Sequence, residues 1–374
     1  MSTERATRAW IEVRPAALRA NLRRVRAAVG EGVRLIPMIK ANAYGLGMGA
    51  AAAALDLEDP WAFGVATVDE GRELRALGVQ RRILVFSPPP PGALGELVAA
   101  GLTPALSDLH SVELLQRAAA GHRVPFHIEI DTGMGRAGFD WRTVADWGPV
   151  VLGGAHSGIH LEGCFTHLHS ADEPDLSSAR EQWGRFREAL ARLGPPDDVL
   201  VHACNSAGAL RLPEYAAGGV RPGIFLYGGR VGEGAPPPQR VATVRARVLH
   251  VRDAPPGTTQ GYGATYAAAG AERWATLGIG YGDGLPRALG NRGSALVDGV
   301  RVPIVGRISM DMTVVDITGV PSVRAGAVAT LLGRDGQEEI TLEEVAGHAG
   351  TISYEVLTGL TARLPRIWIE DGGD

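Results

Sequence analysis

Lys40 is the sole lysine among the 37 Lys and Arg residues of this 374-residue chain. Arginine serves wherever a side chain supplies only positive charge. It fails where an amine must become a nucleophile, because a guanidinium stays protonated and does not condense with a carbonyl. Lys40 follows the apolar run Leu35-Ile36-Pro37-Met38-Ile39 and precedes the turn-like Asn42-Ala43-Tyr44-Gly45. A solvated lysine spared by chance is the competing reading, and the apolar flank weighs against it. Cys164 and Cys204 lie in apolar segments with no metal-type spacing around them, so they read as packed core thiols rather than a disulfide, a nucleophile or metal ligands. The chemistry that residue types announce is that of one desolvated amine.

Such an amine needs a scaffold. Residues 8–13 alternate as a short strand, and Pro15 opens an amphipathic stretch to about Ala28 with Leu18, Leu22 and Val25 at helical spacing. Short apolar runs suited to buried parallel strands then recur at about 35–40, 61–67, 81–87, 102–107, 124–131, 161–168, 198–204 and 219–227, separated mostly by Ala/Leu/Arg-rich helical stretches. Eight such strands predict an α/β fold with an N-terminal (β/α)8 TIM-type barrel. An open doubly wound sheet is the alternative, and no Gly-x-Gly-x-x-Gly turn follows an early strand to support it. In a barrel the active site lies at the C-terminal strand ends. Lys40 ends the first run, Arg136 follows the fifth, His167 ends the sixth, Asn205 and Ser206 end the seventh, and Arg221 falls within the eighth, so these groups converge on one mouth.

Near residues 231–239 the composition turns to Gly and Pro, which marks a boundary. Beyond it, 241–251, 273–281, 295–305, 312–317 and 327–332 read as strands joined by turns such as Asp298-Gly299, a mostly β C-terminal domain. The expected division is 14–235 for the barrel and 236–374 for the β domain. A formal charge of −4 gives no reason to expect nucleic acid or a membrane surface as partner. The N-terminal residues lack a signal-peptide core and no apolar run reaches membrane-span length, so a cytoplasmic location is the expectation.

The stretch Met38-Ile39-Lys40-Ala41-Asn42-Ala43-Tyr44-Gly45-Leu46-Gly47 closely resembles the pyridoxal-phosphate lysine motif of alanine racemases. Further matches follow in family order: Asp131-Thr132-Gly133-Met134-Gly135-Arg136, Thr166-His167, Asn205-Ser206, Arg221-Pro222-Gly223-Ile224, Tyr262-Gly263-Ala264-Thr265-Tyr266, Gly280-Tyr281-Gly282-Asp283-Gly284, Gly306-Arg307-Ile308-Ser309-Met310-Asp311 and Ile352-Ser353-Tyr354-Glu355. Each string alone is a weak signal; their number and order make the resemblance specific.

The resemblance implies pyridoxal 5'-phosphate as cofactor, no metal, and interconversion of L- and D-alanine, which supplies D-alanine for cell-wall peptidoglycan. It also implies that the N-terminal strand, residues 1–13, joins the β domain. Racemisation needs a base on each face of a planar carbanion, and the resemblance assigns Lys40 to one face and Tyr262 to the other. A phenol is a poor base at neutral pH, so the implied arrangement sets His167 beside Tyr262 and Arg221 beside His167. Arg221 is implied to face the pyridine nitrogen, which stays unprotonated because arginine does not give up its proton. The ring is then a weaker electron sink, which disfavours transamination. The cofactor set also takes in Asn205, and the phosphate is expected to meet Tyr44, Ser206, Tyr354 and the N–H groups of Gly223 and Ile224. Arg136, with the Met310 N–H, is expected to hold the substrate carboxylate. Asp172, Tyr281, Arg287 and Arg307 match the entry passage. From local sequence alone, Tyr262 reads as an aromatic in a glycine-flanked turn, Arg221 as a capping or paired arginine, and the passage residues as polar surface; the ordered motifs favour the functional assignments.

A homodimer with its active site shared across the interface is the expected assembly, Tyr262 of one subunit completing the site built by Lys40 of the other. The alternatives are a broader-specificity or serine racemase of the same fold, a decarboxylase of basic amino acids sharing barrel and cofactor, and a non-catalytic cofactor carrier. Arg221 counts against decarboxylation and the β domain against the carrier. Three positions depart from the family pattern. Leu46 stands where histidine is common, Gly261 where serine is frequent, and Glu129 where many members carry a carbamylated lysine. The expectation for Glu129 is a direct pair with Arg136, with a bound anion such as chloride as the alternative.

Overall fold

Every residue of Ala62–Val65 and Thr103–Leu106 is buried, as strands covered on both faces must be. In the computed structural model, which describes residues 7–121, 123–153 and 158–369, they belong to a ring of parallel strands. In chain order these are Arg34–Leu35, Ala62–Val65, Arg82–Val85, Thr103–Leu106, Val124–Asp131, Ile159–Phe165, Leu200–His202 and Gly219–Val220. Neighbours pair in sequence order, and the eighth returns to the first. Between the first and second the ring closes through a bridge from Met38 to Gly64, with Ile39 N–H donating to the Gly64 carbonyl at 2.8 Å. This is the (β/α)8 barrel expected from the apolar runs.

Two of those runs shorten. The strand expected over 35–40 stops at Leu35, and that expected over 219–227 stops at Val220 and gives way to a 3-10 turn at Ile224–Tyr227. Pro37 and Pro222 lie just beyond these ends, and a proline has no N–H to continue a ladder. Both chain segments therefore turn at the barrel mouth, where a site is built.

Pro15 starts the helix Pro15–Val29, whose Leu18, Leu22 and Val25 are buried as the spacing predicts. Asn21, fully buried on the same helix, donates to the carbonyls of Leu226 and Gln239 and accepts from Gln239 N–H. It thus ties the helix to the loop after the eighth strand.

The second sheet is organised on the long strand Ala242–Ala254, which pairs antiparallel with Ala9–Val13, Glu272–Leu277 and Val328–Asp335. Ala9–Val13 also pairs parallel with Arg366–Trp368. The N-terminal strand is thus part of the C-terminal sheet; residues 1–6 and 370–374 lie outside the described residues. The run 295–305 is a hairpin, Ser294–Val297 against Val300–Pro303, turned by Asp298 (φ 51°) and Gly299 (φ 75°), as a two-residue turn with both φ positive requires. No helix among the described residues is long and apolar enough to cross a membrane.

Asp283, fully buried, accepts from Arg8 at 2.6 Å and from Gly280 N–H at 3.0 Å, with Arg363 at 3.4 Å. Asp283→Asn keeps an acceptor for Gly280 but leaves Arg8 without its anion, while Arg363 retains Asp311 at 2.6 Å. Because Arg8 reaches solvent, the expected loss is about 2 kcal/mol of stability, below that of a wholly buried pair. Thermal unfolding of the variant beside the parent measures it.

Candidate active site

Immediately after the first strand, Lys40 opens a short turn, Lys40–Tyr44, in which Ala41, Asn42, Ala43 and Tyr44 all have φ between 52° and 54°. Left-handed conformation costs an L-residue about 1 kcal/mol or more, so this turn persists only because its surroundings hold it. Ala41 N–H donates to Glu70 Oε1 at 2.6 Å, and Asn42 Oδ1 accepts from Met48 N–H at 2.7 Å. Glu70 also accepts from Ala66 N–H and completes a capping box with Thr67. Sequence reasoning missed Glu70, though Thr67-x-x-Glu70 carried a capping signature.

Lys40 lines a cavity of about 240 Å³ at the C-terminal ends of the barrel strands. Arg136, His167, Asn205, Ser206 and Arg221 line it too, as do Tyr44, Gly223, Ile224 and Tyr354. Barrel loops supply all of these except Tyr354, which comes from the helix Ser353–Thr358 beyond the second sheet. Burial, then the charges of Arg136 and Arg221, hold the Lys40 amine below the usual lysine range, with Glu70 opposing. Burial and the same cations push His167 down to about 3, so its imidazole is neutral. Its backbone is fixed by buried Gln182, which donates to the His167 carbonyl at 2.9 Å and accepts from His169 N–H at 3.0 Å.

Arg221 is the most tightly specified member. One terminal nitrogen donates to His202 Nδ1 at 2.6 Å and to the His202 carbonyl at 3.1 Å. The other donates to the carbonyls of Thr166 at 2.8 Å and Ala203 at 3.1 Å. Of the five donors a guanidinium carries, only Nε–H has no partner among the described residues. Burial brings this group down to about 10, still cationic at neutral pH.

At another part of the cavity, Ser206 Oγ accepts from Gly223 N–H at 2.7 Å. A Cβ at Gly223 would collide with the Tyr44 hydroxyl oxygen. Tyr44 stacks on Tyr227 at 4.5 Å, and Tyr227 donates to the Met38 carbonyl at 2.9 Å, which fixes the pair. Tyr354 lies 6.1 Å from Tyr44, ring to ring, its phenol pushed up to about 12 by burial and Asp172. Asn205 uses its amide locally, capping Ser206–Arg211 through Gly208 N–H and donating to the Leu168 carbonyl.

Several expected site residues lie elsewhere in the chain. Tyr262 sits in a turn of the second domain, 69% exposed, and does not line the cavity. The anticipated chain from Tyr262 through His167 to Arg221 is therefore not formed within one chain, and the four terminal guanidinium donors of Arg221 are spent on the barrel instead. Met310 and Tyr281 adjoin one another, since Tyr281 N–H donates to Ser309 and Gly282 N–H to Met310, and Arg307 packs against Gly261 and Gly263 beside Tyr262. Arg287 and Asp172 also lie outside the cavity lining. Glu129 does line it and is 3% exposed, but no ion pair within 4 Å joins it to Arg136 among the described residues. The direct pair expected from sequence is absent: Glu129 is held inside the fifth strand, and Arg136 lies in the loop that follows it, out of ion-pair reach. Burial lifts the Glu129 carboxyl to about 7 despite both arginines.

A barrel whose mouth gathers a desolvated amine, two guanidinium groups and a glycine-permitted cradle has the layout of a barrel enzyme, with its polar groups at the C-terminal ends of the strands. Residues 13–231 match the alanine racemase N-terminal domain and residues 241–368 the alanine racemase C-terminal domain. The chain belongs to the alanine racemase family. It is 39% identical over 367 residues to the alanine racemase of Symbiobacterium thermophilum and 36% over 371 residues to that of Halothermothrix orenii, covering 96% of each chain in both cases. Among solved structures, alanine racemase from Streptomyces coelicolor superposes with a TM-score of 0.92 at 34% identity, covering 98% of this chain and all of that one. Alanine racemase from Bartonella henselae with covalently bound pyridoxal phosphate gives 0.89 at 30% identity, over 97% of this chain and 100% of that one.

Proposed function

We propose that this protein interconverts L- and D-alanine with pyridoxal phosphate attached at Lys40, as a cytoplasmic homodimer that shares each site between subunits. The observation that carries the reading is the convergence of the only lysine, desolvated, with Arg136, Arg221 and the Ser206–Gly223 cradle on one cavity. The cavity fits the cofactor: glycine at 223 lets the Tyr44 hydroxyl approach a backbone that a Cβ would shield, and the unpartnered Arg221 Nε–H offers a cationic donor for a ring nitrogen. Lys40 would hold it covalently, Arg221 would meet the ring, and Ser206, Tyr44, Tyr354 and the Gly223 and Ile224 N–H groups would take the phosphate. When bound, pyridoxal phosphate supplies a carbonyl for amines and an electron-accepting ring that acidifies an amino acid's Cα–H.

The protein's part is to bind, orient and move protons. Arg136, which makes no ion pair of its own among the described residues, takes the substrate carboxylate and so aims the Cα–H bond. Lys40 Nζ, held below its usual range by burial and two cations, moves the proton on one face. Tyr262 from the partner subunit moves it on the other, next to neutral His167. Exposure of Tyr262 in the single chain supports that sharing. The test is direct: cofactor-loaded protein given L-alanine in heavy water forms D-alanine with deuterium at Cα. Absence of D-alanine and of any Cα deuterium removes the reading, and comparison with L-serine and L-lysine measures breadth.

Glu129 gives a prediction with two signs. Its folded value of about 7 lies above the ordinary 4.5. The native state therefore binds the extra proton, and stability is greatest below 4.5 and declines as pH rises through 7. Glu129→Gln removes that decline, so the variant gains thermal stability over its parent at pH 8 and not at pH 4. Loss of the carboxylate leaves Arg136 and Arg221 without their nearby anion, and KM for alanine rises severalfold. Thermal unfolding at both pH values and kinetics at low and high chloride check the two halves; chloride restoring KM would identify an anion bridge.

A further inference from the structure

Behind Arg221, inside the barrel, lies a row of titratable groups that the reaction above does not use. His202 Nε2 is 2.8 Å from His127 Nδ1, and His127 Nε2 is 3.4 Å from Glu162 Oε2. Both imidazoles are buried, at 0% and 1% exposure. Glu162 reaches solvent at the far end, where Arg82 approaches it at 3.6 Å.

The hydrogens in this row have one arrangement. A guanidinium only donates, so His202 Nδ1, which faces Arg221, is an acceptor and carries no proton. Burial, then the charge of Arg221, keeps His202 neutral, so its single proton is on Nε2 and is donated to His127 Nδ1. His127, lowered chiefly by its burial, is neutral as well. Its proton is on Nε2 and points to Glu162. Against the effect of burial, the His127 bond and Arg82 hold the Glu162 carboxyl below the ordinary range, so it is an anion and an acceptor. Every link donates in the same direction, from cavity to barrel floor.

Two backbone features let these side chains meet. Phe126 pairs with Leu161 but His127 with Gly163, so Glu162 is an extra residue, a bulge in the sixth strand. Bulges re-aim side chains, and this one leaves Glu162 facing His127. The neighbouring strand position is Gly163, where a Cβ would collide with the His127 ring; any other residue would close the path from the fifth strand across to His202 on the seventh. Phe165 stacks on the His202 ring at 5.0 Å and fixes its plane.

We propose that His127 and Glu162 are positioning residues for Arg221, acting through His202 in a hydrogen-bond chain of single polarity. The chain makes His202 Nδ1 an obligate acceptor, which clamps one edge of the guanidinium and leaves Nε–H as its one donor not taken by the barrel. Breaking the chain at His127 removes the acceptor for His202 Nε2–H. The His202 proton is then free to move to Nδ1, where it opposes Arg221. The inference rests on the reading of Arg221 as the group that meets the cofactor ring.

Nitrogen-15 NMR of the holoenzyme, with His127 and His202 assigned by substitution, reads the tautomers directly. The expected result is Nε2–H on both. In His127→Leu, His202 is expected to leave that tautomer and kcat to fall about tenfold, as Arg221 is held less firmly in place. KM for alanine stays unchanged, because Arg136 and not Arg221 meets the substrate carboxylate. His127→Asn offers an acceptor near the former Nδ1 and is expected to retain the His202 tautomer and most of kcat. Should His127→Leu not fold, Glu162→Leu beside Glu162→Gln makes the same comparison at the solvent-reaching end, with kcat falling in the first and kept in the second. Nδ1–H on His202 in the parent overturns the proposal. So does an altered His202 tautomer with undiminished kcat, or an asparagine or glutamine variant as impaired as its leucine counterpart. The tautomers are measured without turnover, so a parent that carries them but does not racemise alanine refutes the functional reading and not the chain.

Discussion

Lys40→Arg is expected to abolish racemisation and covalent cofactor attachment together. The substitution keeps the positive charge at the end of the first barrel run and removes only the amine, which separates electrostatics from bond formation. Burial and the neighbouring Arg136 and Arg221 charges already hold the Lys40 amine below its usual range, the condition under which a lysine is nucleophilic and able to serve as a base. An arginine meets the same desolvation without becoming neutral. Loss of both the attachment point and the proton carrier lowers turnover by about 10⁴ or more. Because Lys40 is the sole lysine, borohydride reduction of loaded protein has no other side-chain amine to trap. A variant that still carries reduced, covalently bound cofactor defeats the assignment.

Tyr262→Phe should slow proton removal from L-alanine by about 10² to 10⁴, the usual weight of a positioned acid or base, and that from D-alanine far less, since Lys40 remains on the opposite face. Cα exchange measured separately for each enantiomer tests the faces, and equal losses contradict them. Within one chain Tyr262 is exposed and outside the cavity, so the same residue also tests the assembly. Lys40→Ala and Tyr262→Phe proteins are each inactive under this reading. Mixed with full exchange, half of the dimers are hybrids with one intact site each, so roughly a quarter of parental activity returns. No recovery after verified exchange points to a site made within one chain.

Much of the architecture is legible in the sequence. Apolar runs such as 61–67 and 102–107 contain fully buried strands, and Leu18, Leu22 and Val25 face the core from the first helix, because burial on both faces of a strand and on one face of a helix leaves a local pattern. The cavity lining was largely legible too. Lys40, Arg136, His167 and Ser206 follow or end different runs and Arg221 falls within the eighth, and a barrel brings the C-terminal ends of its strands to one mouth. The Lys40–Tyr44 turn was not. Only Asn42 of Ala41-Asn42-Ala43 tolerates left-handed backbone, and the conformation extends over the run because Glu70 and the loop to Met48 supply its hydrogen bonds. The same holds for Glu129, whose charge suited Arg136 but whose strand position keeps it beyond ion-pair reach.

By itself the sequence determined the chemistry that one lysine makes possible, the order of the elements and the end of the barrel where the polar groups gather. These depend on covalent properties of side chains and on short-range periodicity. Only the tertiary structure decided that Arg221 has a single unspent donor, that a bulge turns Glu162 toward His127, and that Tyr262 stands apart from the cavity of its own chain. Those outcomes depend on the register between strands distant in sequence. Register is set by closing the whole ring, and a shift of one residue would reverse every face.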